Sequence, residues 1–196
     1  MVMTVSFMPY YRRYSLFFVF MLTCLLASAT THHIIIKNGD LKASGNHYLL
    51  NADLEIALGE EVEMAINKGV PVEFVYEFEL LRPRVLWFDA VVASAKTRIK
   101  VSYHALSRQY LVTQDGRQTS HDILSEAMIE LVQLYDWHVF DQSDTERGEK
   151  YVAELTVNLD KTKLPKAIQV DAIGSVNWNL VSEPYTWLPK DFNHKP

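Results

Sequence analysis

The sequence predicts a mainly β, α+β fold: an antiparallel immunoglobulin-like β-sandwich carrying two short amphipathic helices. Three observations lead there. Val72, Phe74, Tyr76, Phe78 and Leu80 share one face of a strand whose other face carries Glu73, Glu77 and Glu79. A period of two with aromatic enrichment marks a strand buried on one side and wet on the other. The same alternation runs from Lys150 to Leu159, turning Tyr151, Ala153, Leu155, Val157 and Leu159 inward. Finally, short apolar runs recur at regular spacing between turn residues, whereas only two segments show helical spacing.

In chain order, strands are expected at 33–37, 47–56, 72–80, 86–95, 98–103, 108–113, 137–140, 150–159, 167–171 and 178–181. The first helix is expected from Glu60 to Lys68. Glu60, Glu61 and Glu63 suit its N-terminal dipole, Val62, Ala65 and Ile66 form its apolar stripe, and Gly69 and Pro71 stop it. The second starts with Ser120 as N-cap, and Ile123, Leu124, Ala127, Met128, Leu131 and Val132 form its stripe. Asp115-Gly116 is a hairpin signal. The polar loop from Asp141 to Glu149 is expected to be exposed. No Gly/Ser linker divides the chain, so a single domain is expected.

The first thirty residues set the compartment. Arg12 and Arg13 precede an apolar run from Leu16 to Leu26, followed by Ala27, Ser28 and Ala29. That is the layout of a secretory signal peptide over residues 1–29, with a single exported, periplasmic β-rich domain over 30–196. The alternative is an uncleaved leader that anchors the domain to the inner membrane, facing the periplasm. The apolar run is short for that role, since a spanning helix needs ~20 apolar residues. Cys24 is the only cysteine and lies in the leader. Disulfides, Cys-ligated zinc, iron–sulfur sites and thiol nucleophiles are thereby excluded from the exported domain. The chain carries a net charge of −5, and the leader would remove two of its arginines. A dispersed negative charge argues against nucleic acid, which requires a basic stripe.

Several phrases carry a family resemblance. Lys68-Gly69-Val70-Pro71 runs into Phe74-Val75-Tyr76-Glu77-Phe78-Glu79-Leu80, then Arg82-Pro83-Arg84 and Trp87-Phe88-Asp89. Ser102-Tyr103-His104-Ala105-Leu106-Ser107-Arg108-Gln109-Tyr110 follows, and later Leu164-Pro165-Lys166 with Ile168-Gln169-Val170. Together they resemble domain-of-unknown-function family 4390, exported proteins of proteobacteria, over nearly all of residues 30–196. The resemblance implies an envelope protein of Gram-negative bacteria with no assigned activity and no catalytic residues to carry over. Families of this kind often neighbour a membrane histidine kinase in genomes, which implies a membrane sensor kinase as one partner class.

The candidate chemistry is sparse. Cleavage after Ala29 would expose Thr30-Thr31-His32, whose amine, amides and imidazole suit a square-planar Cu(II) or Ni(II) site with His33 as an axial donor. Otherwise these are polar residues spacing the cleavage site from the first strand, and no other cofactor is expected. His47, His104, His121, His138 and His194 show no metal-ligand spacing and read as surface or strand-end residues, with His47 and His104 the pair placed to converge across strands. Glu73, Glu77 and Glu79, with Asp89 nearby, are either a solvated face neutralised by Arg82, Arg84, Arg98 or Lys100, or a site in which Glu77 and Glu79, on one strand face, act as the acid–base pair of a glycosidase-type hydrolase. Serines and glycines offer no nucleophile elbow and no phosphate loop. Asp141, Ser143, Asp144 and Glu146 lack the spacing of an EF-hand.

Trp87, Trp137 and Trp178 are expected in the core. Tyr185 and Trp187, in the proline-flanked segment Pro184–Pro189, either fold back over the sandwich or anchor a partner. The reading that follows is a non-enzymatic envelope module binding another periplasmic or inner-membrane protein, with sheet edges as the natural docking surface. A metal-handling protein or hydrolase using Thr30-Thr31-His32 or the acidic strand face is the rival.

Overall fold

The structure, a computed structural model, describes residues 32–146 and 148–189. Among the described residues, nine strands and three helices make up the frame: β1 (His33–Ser44), β2 (His47–Ala57), α1 (Glu60–Asn67), β3 (Val72–Arg82), β4 (Ala90–His104), β5 (Gln109–Gln114), β6 (Arg117–His121), α2 (Leu124–Val132), β7 (Gln133–Asp141), β8 (Val152–Leu159), α3 (Lys166–Gly174) and β9 (Tyr185–Trp187). A three-stranded sheet in the order β1-β2-β7 faces a six-stranded sheet in the order β6-β5-β4-β3-β8-β9. Every pairing between these strands is antiparallel. The expected two-layer β architecture is therefore present. No helix among the described residues is long and apolar enough to cross a membrane.

β3 is the central strand, paired with β4 on one side and β8 on the other. Its inward residues Phe74, Tyr76, Phe78 and Leu80 are wholly buried, as are Ala153, Leu155 and Val157 of β8. Tyr48, Leu50, Ala52 and Leu54 of β2 meet them from the smaller sheet. Each full burial of an aromatic or aliphatic side chain contributes ~1.5–3 kcal/mol, so the alternating inward faces supply the main adhesion between the layers. Aromatic rings thread the core: Tyr48 stacks on Phe140 at 4.6 Å, Phe140 on Phe78 at 5.9 Å, and Phe78 meets Trp187 at 6.3 Å.

α1 follows its sequence signals closely. Val62, Ala65 and Ile66 are buried and its first turn is acidic. Gly69, at φ 85°, ends it with amide bonds from Gly69 to Ile66 and from Val70 to Ala65, the paired bonds of a Schellman stop. The Asp115-Gly116 hairpin forms as expected, with both residues at positive φ as a two-residue primed turn requires.

α2 runs into β7 with no intervening loop, so its last carbonyls have no continuing helix to pair with. The buried Tyr76 hydroxyl donates to the Leu131 carbonyl at 2.6 Å. Burial raises the Tyr76 pKa far above its ordinary value, keeping the ring neutral.

Four expectations differ from what forms. The segment 167–171 is helical, within α3, because Pro165 sets the helix entry and Ile168 and Ala172 share the face turned to the core. Val170, which completed an apparent alternation, is exposed. Residues 176–178 form a 3₁₀ turn, and Val181 makes only an isolated bridge to Asn158, although Trp178 and Leu180 are buried. Residues 117–121 form β6 because they pair with β5. That displaces the start of α2 to Ile123 as N-cap, leaving Ser120 in a strand. Residues 86–95 and 98–103 are one long strand beginning only at Ala90.

Tyr76→Phe leaves a buried helix-terminal carbonyl unpaired. Chemical denaturation is expected to show a loss of about 1–3 kcal/mol. Tyr110→Phe removes an exposed hydrogen bond to Asn67 and should cost about 1 kcal/mol or less.

Candidate functional site

The register of β7 against β2 assembles a cluster of functional groups on the outer face of the smaller sheet. His47 lies directly opposite Asp141, Tyr48 opposite Phe140, and Leu49 opposite His138, so Val139 is an extra residue in β7. A bulge of this kind breaks strict alternation. Val139 and Phe140 are both buried although adjacent, and His138 and Asp141, three apart, emerge on the same side. A second bulge lies just upstream, where Leu50 pairs with Trp137 and Ala52 with Leu134. There Asp136 takes a positive φ of 48°, and its amide donates to the Asn51 side chain at 2.8 Å.

His47 Nδ1 lies 2.6 Å and His138 Nε2 2.8 Å from the same oxygen, Asp141 Oδ1. An ionised carboxylate only accepts, so each ring donates an N–H to it. The two imidazoles sit edge to face, 4.8 Å apart. Hydrogen bonds from His47 first and His138 second hold the Asp141 carboxyl below the usual carboxylate range. The carboxylate is oriented from behind by a reciprocal cap. It accepts the Asp144 amide, while Asp144 Oδ2 accepts the Asp141 amide at 2.9 Å. The Gln142 amide ties this turn to the Asn46 carbonyl of the β1–β2 turn at 2.9 Å.

His138 also lines a cleft of about 650 Å³ between the β5–β6 turn, α2 and the start of β7. Asp115, Arg117, Glu130, Tyr135 and Trp137 are among its walls. Glu130 accepts from the Thr119 hydroxyl at 2.9 Å and pairs with His121 at 2.7 Å.

A second feature stands apart chemically. Pro83 ends β3 pairing just past Arg82, and β4 resumes only at Ala90. Between them Val85, Leu86, Trp87 and Phe88 are each at least 77% exposed. The Arg84 amide donates to Asp89 Oδ1 at 3.1 Å, closing the base of the loop. Trp87 is thus a surface residue, contrary to its expected place in the core, because the strand that would have buried it begins after it. Arg82, at the loop base, reaches Glu146 at 3.5 Å, and the Glu146 amide donates to the buried Tyr151 hydroxyl at 2.8 Å. One short segment, Asp141 to Glu146, therefore links the histidine cluster to the loop base.

The other sequence candidates have individual fates. Thr30, Thr31 and His194 lie outside the described residues. His32 is half-buried beside Gly59, with its Nδ1 buried and without a hydrogen-bond partner among the described residues. His33 and Lys37 both contact Glu55, at 3.5 and 2.7 Å. His104 bonds Ser107 at 2.9 Å and does not approach His47, whose partners lie on β7. Glu77 pairs with Lys96, and Glu73 with Arg98 at 3.1 Å. Tyr185 and Trp187 fold back in β9 against β8 and pack at 5.5 Å from each other, both half-buried. The Trp187 ring lies over Gly39, where a Cβ would come within 3.1 Å of it.

Sequence reading missed the His47–His138–Asp141 convergence because no local spacing encodes it. The pairing of β2 with β7 and the extra Val139 create it. The exposed loop had a local signal in Pro83, which forbids a continuous central strand.

Fold and surface define a two-sheet β module with a dihistidine–aspartate cluster and a protruding apolar loop. The chain belongs to the family described as domain of unknown function (DUF4390), whose model matches residues 31–188. No curated protein and no solved structure matches it.

Because the folded carboxyl of Asp141 is held below its ordinary value of ~3.9, it adds stability above that value. This contribution is lost as pH falls through the folded value. Carboxyl-carbon NMR titration should place Asp141 below a typical aspartate in the wild type, and higher in His47→Ala.

Proposed function

We propose that this protein is a non-enzymatic module of the bacterial envelope that docks onto another envelope protein through its β3–β4 loop. One observation carries the reading: four consecutive apolar residues, Val85 to Phe88, project into solvent from a closed turn. Contiguous exposed apolar surface of this kind marks an interaction site. A tryptophan and a phenylalanine side by side supply the large, rigid anchors that dominate binding energy. The leader supports an exported location. The family resemblance suggests a membrane sensor kinase as the class of partner.

The loop lends itself to a clean test because its tip supports little of the fold. A photo-crosslinking amino acid at Leu86 should give one defined adduct with a membrane-associated protein in intact cells. Trp87→Ala with Phe88→Ala should reduce complex formation with that purified partner by at least about tenfold while leaving the melting temperature unchanged. A uniform crosslinking smear, or co-sedimentation with protein-free anionic vesicles in place of protein capture, would remove the reading.

A further inference from the structure

We infer that His47, His138 and Asp141 form a binding site for a divalent ion of the zinc type. The inference is independent of the docking reading, since it rests on a different surface and a different chemistry. The three ligand atoms all lie within 4.8 Å of one another, and two of the separations are those of hydrogen bonds to a single oxygen. Two imidazoles, which are borderline donors, outnumber the one hard carboxylate, which favours zinc and its neighbours over magnesium or calcium.

The geometry needs little adjustment. Zinc lies ~2.0–2.2 Å from such ligands, so tetrahedral ligand atoms stand roughly 3.3 Å apart. The Asp141 contacts at 2.6 and 2.8 Å have to open by roughly 0.5–0.7 Å to admit the ion, and the two ring nitrogens, within 4.8 Å of each other, have to settle at that same spacing. Each ring then gives its lone pair where it had given a proton: the neutral ligand carries its single proton on the far nitrogen, Nε2 of His47 and Nδ1 of His138, and any second proton is released to water. Perpendicular rings let both nitrogens approach one point without stacking.

The cluster also has the outer support expected of a ligand set. His47 and Asp141 are fixed as a cross-strand pair, and the Val139 bulge fixes His138 beside them. The Asp144 cap holds the Asp141 carboxylate from behind, as second-layer hydrogen bonds do at metal centres. No other histidine among the described residues lies in such a set. Three protein donors leave a fourth position open, and through His138 the site borders the polar cleft. That position suits water, or a donor from a molecule seated in the cleft.

The test titrates Zn²⁺ alone into the full exported protein, purified without a histidine tag, by calorimetry, with Co²⁺ as a spectroscopic substitute. One ion per chain is expected, with a visible four-coordinate Co²⁺ band and paramagnetic broadening of the His47 and His138 ring signals in the wild type. That NMR readout needs no variant. His47→Ala, His138→Ala or Asp141→Ala should each weaken binding at least about tenfold. His104→Ala and His32→Ala should change nothing. Absence of zinc uptake by the wild type overturns the site. So does uptake unchanged in the folded His47→Ala/His138→Ala double variant, broadening confined to other histidines, or loss of binding in His32→Ala.

Discussion

The smaller sheet depends on two extra residues in β7. The strand leaves α2 without a loop and must both complete the core and pair with β2, and a regular strand of its sequence cannot do both. The first bulge, with Asp136 at positive φ and its amide held by Asn51, turns Trp137 toward the side that Leu50 faces. The second buries Val139 beside Phe140. Phe140 then sits between Tyr48 and Phe78, joining the sheets through stacked rings. The register that completes the core is the one that brings His138 and Asp141 out beside His47.

Fold and surface chemistry are therefore products of the same pairing. Tyr76 secures the upstream end of β7 by capping the carbonyl of Leu131, and the Asp141–Asp144 cap secures its downstream end. Beyond that cap, Glu146 meets Tyr151 and Arg82, so the turn carrying the cluster also braces the base of the apolar loop. Surface ion pairs such as Arg82–Glu146 add little stability by themselves.

Much of the frame was legible in the sequence because it is encoded locally. Alternation in β3 and β8, the stripe and stop of α1, and the Asp115-Gly116 turn each need only neighbours along the chain. α3 was misread because Ile168 and Val170 satisfy a period of two by accident, while the entry set by Pro165 and the burial of Ala172 decide for a helix. Trp87 was misplaced because hydrophobicity alone does not say whether a residue lies in a strand or just outside one. The histidine cluster was illegible for a stronger reason. His47 and Asp141 are 94 positions apart, and their meeting depends on strand order and on a bulge that no local pattern announces.

The doubly bulged pairing of β7 with β2 is open to direct measurement by nuclear Overhauser spectroscopy on the isotope-labelled protein. Cross-peaks are expected between the imidazole protons of His47 and His138, together with contacts from the Phe140 ring to both Tyr48 and Phe78. A regular β7, with His138 near the core aromatics and no contact between the two imidazoles, would contradict the account.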